Sequence, residues 1–266
     1  MSNDASAPLG CFSEEDARNQ VGGSLGDAYR RMLSTSCVPM YWFPRKGPPD
    51  LENMHSGTVT IVRTPQRLMG ITAAHVISEL QDDERQEPQT ILAMNAHLPS
   101  VNVIDVNESL DLATFEIDEG TLLRFGKNIS PLSVWPPQPP TEGRGILLGG
   151  YPRIVRVVKA ASANRGEVEW GLFTVIGIAG RVSDDQISWM IDRDKNVPHP
   201  TIPEPPPNAE LGGISGGPVI SLLHKNGFHY CGLAGIVSEA SAQMERVVAK
   251  RADFIRADGK IDRRIV

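Results

Sequence analysis

The sequence predicts an all-β protein built from two six-stranded antiparallel barrels, with a helix before the first barrel. Two observations predict this class: short runs of alternating or continuous apolar residues fill both halves of the chain, and a proline-rich break separates the halves. The predicted domains are an N-terminal tail and helix over residues 1–36, a first barrel over 37–135, a linker over 136–142 and a second barrel over 143–266.

The N-terminal helix is predicted from the spacing of its apolar residues. Residues 1–12 are small and polar and predict a loose tail, and Ser-Glu-Glu-Asp at 13–16 is typical of a helix start. Apolar residues then recur at helical spacing and predict an amphipathic helix over about 25–34: Leu25, Ala28, Tyr29, Met32 and Leu33. We expect this face to pack on the first barrel; the alternative is a docking element for a regulatory protein partner.

The first barrel begins near Val38, where the pattern changes from helix to strands. Further runs alternate or are continuously apolar, and they bring the number of strands to six: 57–63, 68–73, 91–96, 101–106 and 112–117. Thr-Pro-Gln at 64–66 predicts the turn between the first two of these runs.

A proline-rich segment after Trp135 marks the boundary between the barrels. Residues 136–140 contain four prolines and predict a stiff extended linker, because proline cannot donate to a strand ladder. Strands resume in the second half at 145–149, 168–182, 186–191, 218–223, 230–238 and 246–249. Residues 197–207 contain six prolines and predict a polyproline-like surface loop, either a spacer or a specificity or gating loop.

Composition and charge argue against several classes of protein. The chain of 266 residues has a formal net charge of -6 with Lys and Arg spread along it, so we expect no nucleic-acid partner. No apolar run is long enough to span a membrane and no signal-peptide pattern opens the chain, so we expect no membrane partner and a cytoplasmic location. Three cysteines argue against a disulfide scaffold, and no ligand cluster or phosphate loop predicts a metal or a cofactor.

The most informative motif is the run Gly-Ile-Ser-Gly-Gly-Pro at residues 213–218. Glycine and proline disfavour helix and strand interiors, so this run predicts a tight turn that projects the Ser215 hydroxyl. Such a turn also aims backbone N–H groups at one point. Acyl transfer needs that arrangement, a nucleophile beside donors that hold the oxyanion.

Two upstream segments supply a candidate base and a candidate acid. Residues 70–76 read Gly-Ile-Thr-Ala-Ala-His-Val and place His75 at the end of a buried strand, among small residues. Residues 111–117 read Asp-Leu-Ala-Thr-Phe-Glu-Ile and place Asp111 at the start of an alternating strand. Asp105 competes for the acid role, although its Ile-Asp-Val context also fits the solvent face of a strand.

With these residues the chain resembles the trypsin/chymotrypsin-like serine peptidases, and most of all their disulfide-poor bacterial, HtrA-like branch. The order His75, Asp111, Ser215 is that of the chymotrypsin template and differs from the α/β-hydrolase order. The run at 232–238 is similar to the family strand that lines the substrate cleft. The resemblance covers residues from about 38 to 259 and implies chymotrypsin-like barrels and a short C-terminal helix over 252–257.

The resemblance also implies a role for each candidate residue. Ser215 would be the nucleophile, His75 the general base and Asp111 the group that orients the imidazole, while the N–H groups of Gly213 and Ser215 would form the oxyanion hole. Ile214 stands where digestive members carry an aspartate that captures a newly cut N-terminus. We therefore expect no activation by that route.

The substrate-binding residues implied by the resemblance are Ala209, Glu210, Ser238, Glu239 and Ala240. Ala209 would form the base of the primary pocket and offers no carboxylate, so the residue before the cut is expected to be small or apolar. Either glutamate could change this by reaching into the pocket. The predicted function is a serine endopeptidase acting on proteins or peptides; the alternatives are an inactive peptide-binding module and, less favoured, an esterase.

Overall fold

The computed structural model describes residues 19, 21–43, 54–95, 101–125, 135–138, 140–162, 165–191, 210–225, 228–241 and 245–263. The capping pattern at 13–16, the proline-rich loop at 197–207 and Ala209 lie outside these residues. The helices are α1 (Ser24–Ser36), α2 (Ala74–Gln86) and α3 (Glu119–Arg124). The predicted N-terminal helix is confirmed, and its Leu33 is buried at 1% exposure.

The strands of the first half form one six-stranded antiparallel sheet, as predicted. In chain order they are β1 (Cys37–Phe43), β2 (His55–Arg63), β3 (Leu68–Thr72), β4 (Ile91–Met94), β5 (Val103–Asn107) and β6 (Leu112–Glu116). The order across the sheet is β4-β1-β2-β3-β6-β5. The central strand β2 is buried from Gly57 to Val62, on both of its faces.

The strands of the second half form a seven-stranded antiparallel sheet and a separate hairpin. They are β7 (Gly145–Gly150), β8 (Arg156–Ser162), β9 (Arg165–Trp170), β10 (Phe173–Ile178), β11 (Arg181–Val182), β12 (Gln186–Met190), β13 (Pro218–Lys225), β14 (Phe228–Ser241) and β15 (Arg246–Arg251). The sheet order is β10-β7-β13-β14-β15-β12-β11, and β8 pairs only with β9 among the described strands.

The all-β prediction of two antiparallel sheets is therefore confirmed, with differences of detail in the second half. The sheet has seven strands rather than six, because the run predicted as one strand at 168–182 supplies two of its strands, β10 and β11. The start of the same run belongs to β9, which pairs with β8 outside this sheet. The C-terminal helix is a single 3-10 turn, Ala252–Phe254. It ends there because Ile255 forms a β-bridge with Ile261, and Gly259, at φ 85°, reverses the chain between them. The boundaries of the domains stay a prediction.

One apolar cluster joins the two sheets. It contains Val62, Met69 and Ile71 from the first sheet, and Leu147 and Ile220 from the second. Leu33 of α1 lies in the same cluster and packs closely against Gly149, where an added Cβ would lie 3.0 Å from the Cδ2 of Leu33. This continuous core holds the two sheets together, and α1 packs on strands of both halves.

Three further findings concern the described residues alone. None of their helices is long and apolar enough to cross a bilayer. No cluster of three or more His, Cys, Asp or Glu side chains within these ranges is arranged to hold a metal ion. Neither Cys37 nor Cys231 forms a disulfide with another cysteine of the described ranges.

Candidate active site

His75 lies at the start of α2, directly after the buried strand β3. The strand ends at Thr72, and Ala73 is extended, at φ -72° and ψ 146°, before the helix begins at Ala74. Both alanines are buried, at 0% and 2% exposure. Because their side chains end at Cβ, the helix starts against the sheet, and the next residue places its imidazole beside Asp111.

Asp111 faces this imidazole from the turn before β6. Its backbone is in the left-handed region at φ 48°, a conformation that aspartate tolerates better than most residues. The Nδ1 atom of His75 lies 3.0 Å from both carboxylate oxygens, and the backbone N–H of His75 donates to Oδ1 at 3.0 Å. With Nδ1 held by the carboxylate, Nε2 is the nitrogen that can accept a proton from a nucleophile.

The pKa values of this pair shift in opposite directions. The hydrogen bond to Asp111 raises the pKa of His75 against the effect of burial, and the charges of Asp111 and Glu79 raise it further. Burial raises the pKa of Asp111, but hydrogen bonds from the His75 ring, the Ser238 hydroxyl and the His75 N–H together lower it below the ordinary value. The pair therefore favours an imidazolium beside a carboxylate, the state that forms when a base in this position takes a proton.

The turn around Ser215 leaves two backbone donors unpaired. The N–H groups of Ile214, Gly216 and Gly217 donate to backbone carbonyls at 3.1, 2.8 and 2.9 Å. Those of Gly213 and Ser215 donate to no acceptor within the described part of the chain. These are the two residues from which the sequence predicts an oxyanion hole, and an unpaired N–H is what that role requires.

Two glycines of this turn are required by the backbone. Gly213 has φ 97° and Gly216 has φ 92°, values that residues with a Cβ rarely adopt. A Cβ on Gly216 would lie 1.9 Å from the carbonyl oxygen of Thr58 and 2.2 Å from the Oγ1 of Thr72. Strands β2 and β3 of the first sheet therefore approach the turn so closely that only glycine fits.

Strand β2 also holds the turn through hydrogen bonds. The backbone N–H of Thr58 donates to the carbonyl of Ser215 at 2.8 Å, and its Oγ1 donates to the carbonyl of Gly213 at 2.8 Å. Two residues along the same face of the strand, the Oγ1 of Thr60 donates to the carbonyl of Gly216 at 2.7 Å. Both threonines have 0% exposure, so these bonds are shielded from water.

Ser238 connects the serine turn to the His75–Asp111 pair. The Ser215 hydroxyl donates to the backbone carbonyl of Ser238 at 3.1 Å, and the Ser238 hydroxyl donates to Asp111 Oδ2 at 2.5 Å. The pairing of β14 with β15 is irregular at Ser238, which lies between two segments of regular register. Ser238 thus links Ser215, through its backbone carbonyl, to the His75–Asp111 pair, through its hydroxyl. Within the described residues, no direct hydrogen bond joins Ser215 to His75.

Asp105, the competing acid, lies in a different place. Its carboxylate accepts hydrogen bonds from the backbone N–H of Ile261 at 2.9 Å and from the guanidinium of Arg263 at 2.8 Å. It anchors the C-terminal segment. Ile214 is buried at 1% exposure in the apolar core of the second sheet, where an ion pair with an N-terminus would have no aqueous approach.

The predicted pocket residues are more dispersed. Ala209 lies outside the described residues, Glu210 and Glu239 are exposed, and Ala240 is half-buried opposite Val247 of β15. Ser238 was predicted as part of the pocket wall, and its side chain contacts Asp111. The substrate-binding roles of all five stay a prediction.

Sequence reasoning missed three polar residues that position the site: Thr58, Thr60 and the side chain of Ser238. A signal for the two threonines is present, since Gly-Thr-Val-Thr at 57–60 alternates hydroxyls within a strand that is otherwise apolar. Fully buried hydroxyls need partners, and such an alternation indicates that the partners share one face. The contact of the Ser238 hydroxyl with Asp111 depends on the irregular pairing of β14 with β15, and the sequence around Ser238 shows no comparable pattern.

Comparisons with known proteins were made by sequence and by structure. No protein-family model matches the chain, and no curated protein matches it by sequence. A serine endoprotease from Yersinia pestis is similar in structure at 16% identity, with 84% of this chain and 62% of that chain covered and a TM-score of 0.48. Deg5 is similar at 14% identity, with 94% and 99% covered and a TM-score of 0.48. The Rv3671c protease from M. tuberculosis is similar at 15% identity, with 92% and 90% covered and a TM-score of 0.42.

The chain spans about three fifths of the length of the Yersinia pestis protein and of the HtrA-type protease AlgW, which it covers to 62% and 59%. With TM-scores below 0.5 and identities of 16% or less, we record them as similarities, and the function is inferred from the site.

Proposed function

We propose that the protein is a serine endopeptidase in which Ser215, His75 and Asp111 form the catalytic triad. The observation that supports it most is that Ser238 joins the Ser215 hydroxyl to a His–Asp pair. The turn that carries this hydroxyl also has two N–H donors without an acceptor in the described ranges. Hydroxyl, base, orienting acid and oxyanion donors are the four parts that serine acyl transfer needs.

In the reaction, the Ser215 hydroxyl leaves the carbonyl of Ser238 by rotation about χ1 and donates to Nε2 of His75. As its oxygen attacks the substrate carbonyl carbon, the proton passes to His75, and the charge that develops on the carbonyl oxygen is held by the N–H groups of Gly213 and Ser215. His75 then gives the proton to the leaving amine. Water, activated in the same way, releases the acyl group from Ser215.

The strand next to Ser215 favours an extended peptide as the substrate. Beyond Ser238, β14 pairs with β15 through Glu239, Ala240 and Ser241. Its other neighbour, β13, begins at Pro218 opposite Ile236, so the edge of β14 after Ser238 has no strand partner within the described residues. A peptide could add to this edge through its main chain, which suits recognition of many sequences.

The side chain before the cut is proposed to be small or apolar. Ala240 lies opposite Val247, which is fully buried, and Val247 lies opposite Trp189 on the next strand. Leu211, at 5% exposure, belongs to the same apolar cluster. All four side chains belong to the apolar cluster of the second sheet or pack against it, and none carries a charge. A cleavage profile dominated by Arg or Lys would contradict this part of the proposal.

The decisive experiment digests an unfolded protein such as casein with the wild type and with Ser215→Ala, and maps the cut sites by mass spectrometry. We expect the wild type to cut and the variant to lose at least about 10⁴-fold of the rate, because the nucleophile is removed. A fluorophosphonate probe should label the wild type at Ser215 only.

Two outcomes would replace the proposal. Labelling at Ser215 together with hydrolysis of short acyl esters, but of no peptide, would favour an esterase. Absence of both labelling and hydrolysis, with peptides still bound along β14, would favour a binding module that keeps the fold without catalysis.

A further inference from the structure

The segment at residues 152–156 lies directly beside the proposed oxyanion hole. Within it, Arg153–Val155 forms a single 3-10 turn between β7 and β8. The backbone N–H of Arg153 donates to the carbonyl of Gly212 at 2.7 Å, and a Cβ on Gly213 would lie 3.4 Å from the backbone nitrogen of Arg153. The side chain of Arg153 therefore starts next to one of the two donors that would hold the substrate carbonyl oxygen.

The serine turn has different neighbours at its two ends. Its last residues, Gly216 and Gly217, bond to Val237 of β14, whereas Gly212 at its beginning bonds to Arg153. With the acyl half of a peptide on the edge of β14, the half that leaves would extend over the opposite end of the turn, towards Arg153. Because an extended peptide advances about 3.3 Å per residue, the first two residues after the cut come within reach of this side chain.

The guanidinium of Arg153 is exposed and makes no ion pair with any acidic group in the described part of the chain. Arg156 closes the same 3-10 turn, where its backbone N–H donates to the carbonyl of Arg153. Burial lowers the pKa of the Arg156 guanidinium, and the charge of Arg153 lowers it further. Ile154, between them, is an apolar residue with 44% exposure. A positive charge beside an exposed apolar side chain favours an anionic, partly apolar ligand.

Contacts with both sheets hold this segment in place. The backbone N–H of Gly171, directly after β9, donates to the carbonyl of Val155 at 3.1 Å. The guanidinium of Arg156 lies 5.8 Å from the centre of the Trp170 ring, and that ring lies 5.5 Å from the ring of Tyr41 in β1. A ligand would therefore meet a backbone that is already in place, which lowers the cost of binding.

We propose that Arg153 is a specificity-determining residue that selects substrates with an acidic side chain at the first or second position after the cut. The inference rests on the proposed function, because it concerns the peptide that Ser215 cleaves. A carboxylate at either position can accept two hydrogen bonds from the guanidinium. The side chain of Arg153 takes no part in the chemical step, so its effect is expected in kcat/KM, through binding of the leaving half.

The first sheet offers the opposite preference. A Cβ on Gly213 would lie 2.7 Å from the hydroxyl oxygen of Ser56 in β2. The preceding residue, His55, has its Nδ1 atom 3.8 Å from the carboxylates of Glu79 and Asp83. If these carboxylates governed the leaving side, a basic residue would be preferred there. Both already face the imidazole, whereas the guanidinium faces no carboxylate among the described residues, so the acidic preference is the expected one.

The test measures kcat/KM for a matched series of fluorogenic peptides. All carry the same alanine-rich acyl half, and Asp, Asn or Lys is placed in turn at each of the first three positions after the cut. At the first or second position, the wild type should cut the Asp peptide about twofold to fivefold more efficiently than the Asn peptide, as expected for an exposed ion pair. At the third position the two should be equal. Salt near 1 M should remove most of the difference.

Two variants of Arg153 and one control sharpen the test. Arg153→Gln should make the Asp and Asn peptides equal, and Arg153→Glu should favour Lys over Asp. Both variants keep the backbone bond to Gly212. Arg144→Gln is the matched control, since Arg144 is also exposed but precedes β7 at the strand's other end, about 20 Å away, and it should keep the wild-type preference. Each rate with Asp is divided by the same variant's rate with Asn, so a general loss of activity cancels.

The outcomes separate this inference from the proposed function. Equal rates of the wild type with Asp and Asn peptides, a preference for Lys, or a preference for Asp that survives in Arg153→Gln would overturn the inference and leave the peptidase intact. If no peptide is cut, the casein digestion decides the proposed function, and binding of the same peptides to Ser215→Ala protein, measured by fluorescence anisotropy, decides the inference. Tighter binding of the Asp peptide that Arg153→Gln abolishes would support it, and equal binding would overturn it.

Discussion

The two halves of the molecule build their parts of the candidate site in different ways. In the first half, His75 and Asp111 bond to each other through the ring and through a backbone N–H, and the second sheet adds one bond, from the Ser238 hydroxyl to Asp111. In the second half, the turn around Ser215 relies on the other sheet. Its carbonyls at 213, 215 and 216 all accept hydrogen bonds from Thr58 and Thr60 of β2.

This difference indicates which substitutions should affect catalysis alone and which should also affect stability. The acid–base pair is built mainly within the first sheet, with one bond from the second, and damage to it should affect catalysis while the fold persists. The nucleophile turn depends on the packing between the sheets, because β2 and β3 lie so close to residue 216 that only glycine fits there. The φ of 92° at this position also favours glycine. Substitutions that disturb the turn should therefore lower the stability of the protein as well as its catalytic activity.

The largest effect is expected for Asp111→Asn. The amide cannot hold the imidazole in the tautomer that leaves Nε2 basic, so kcat for peptide hydrolysis should fall by about 10⁴-fold. The thermal midpoint should change far less than the rate. A variant that unfolds instead would show that Asp111 is chiefly a structural residue and would remove the contrast between the halves.

Gly216→Ala should cost at least about 2 kcal/mol of the free energy of unfolding, because a Cβ at φ 92° is strained and meets the carbonyl of Thr58 at 1.9 Å. Chemical denaturation measures it. Gly212→Ala is the control, since no atom lies within 4 Å of a Cβ there. Equal losses for the two variants would contradict the close approach of β2.

Thr60→Val tests the support of the turn without adding bulk. The carbonyl of Gly216 would lose its buried donor, and the free energy of unfolding should fall by about 1–3 kcal/mol together with a loss of activity. Thr90→Val, which removes a half-buried bond to the carbonyl of Glu87 far from the serine turn, should cost about 0.5 kcal/mol or less. A loss of activity without a loss of stability would count against a turn held by both sheets.

Ser238→Ala should reduce kcat by about tenfold, because the hydroxyl that donates to Asp111 Oδ2 is lost while the backbone carbonyl beside Ser215 remains. Steady-state kinetics with a peptide substrate would show the effect in kcat more than in KM. A change confined to KM would instead assign Ser238 to substrate binding, as the sequence predicted.

The smallest expected effect is on the pH profile. The base must be neutral to act, and the hydrogen bond to Asp111 raises the pKa of His75. The acid limb of kcat/KM should therefore lie above the ordinary imidazole value of about 6.5. In Asp111→Asn the residual activity should have its acid limb at a lower pH. An unchanged limb would mean that another group controls it.

Much of this site could be predicted from the sequence because its functional residues lie in short, recognisable sequence patterns. The glycines around Ser215 predicted a tight turn, and in the structure Gly213 and Gly216 of this turn have positive φ values. The small residues before His75 predicted where a strand would end. In the second sheet the strand count differed, because short edge strands such as Arg181–Val182 carry too few residues for a periodic pattern.

The sequence by itself determined the antiparallel two-sheet class and the three residue types of the candidate triad, since backbone preference and hydrophobic period act over a few residues. Only the tertiary structure decided that Asp111 rather than Asp105 faces His75 and that β2 holds the turn. It also decided that the N–H groups of Gly213 and Ser215 find no acceptor among the described residues. These depend on contacts such as that between Thr58 and Gly213, which are 155 residues apart in the chain. No local pattern encodes such a contact, because it exists only once the two sheets have packed.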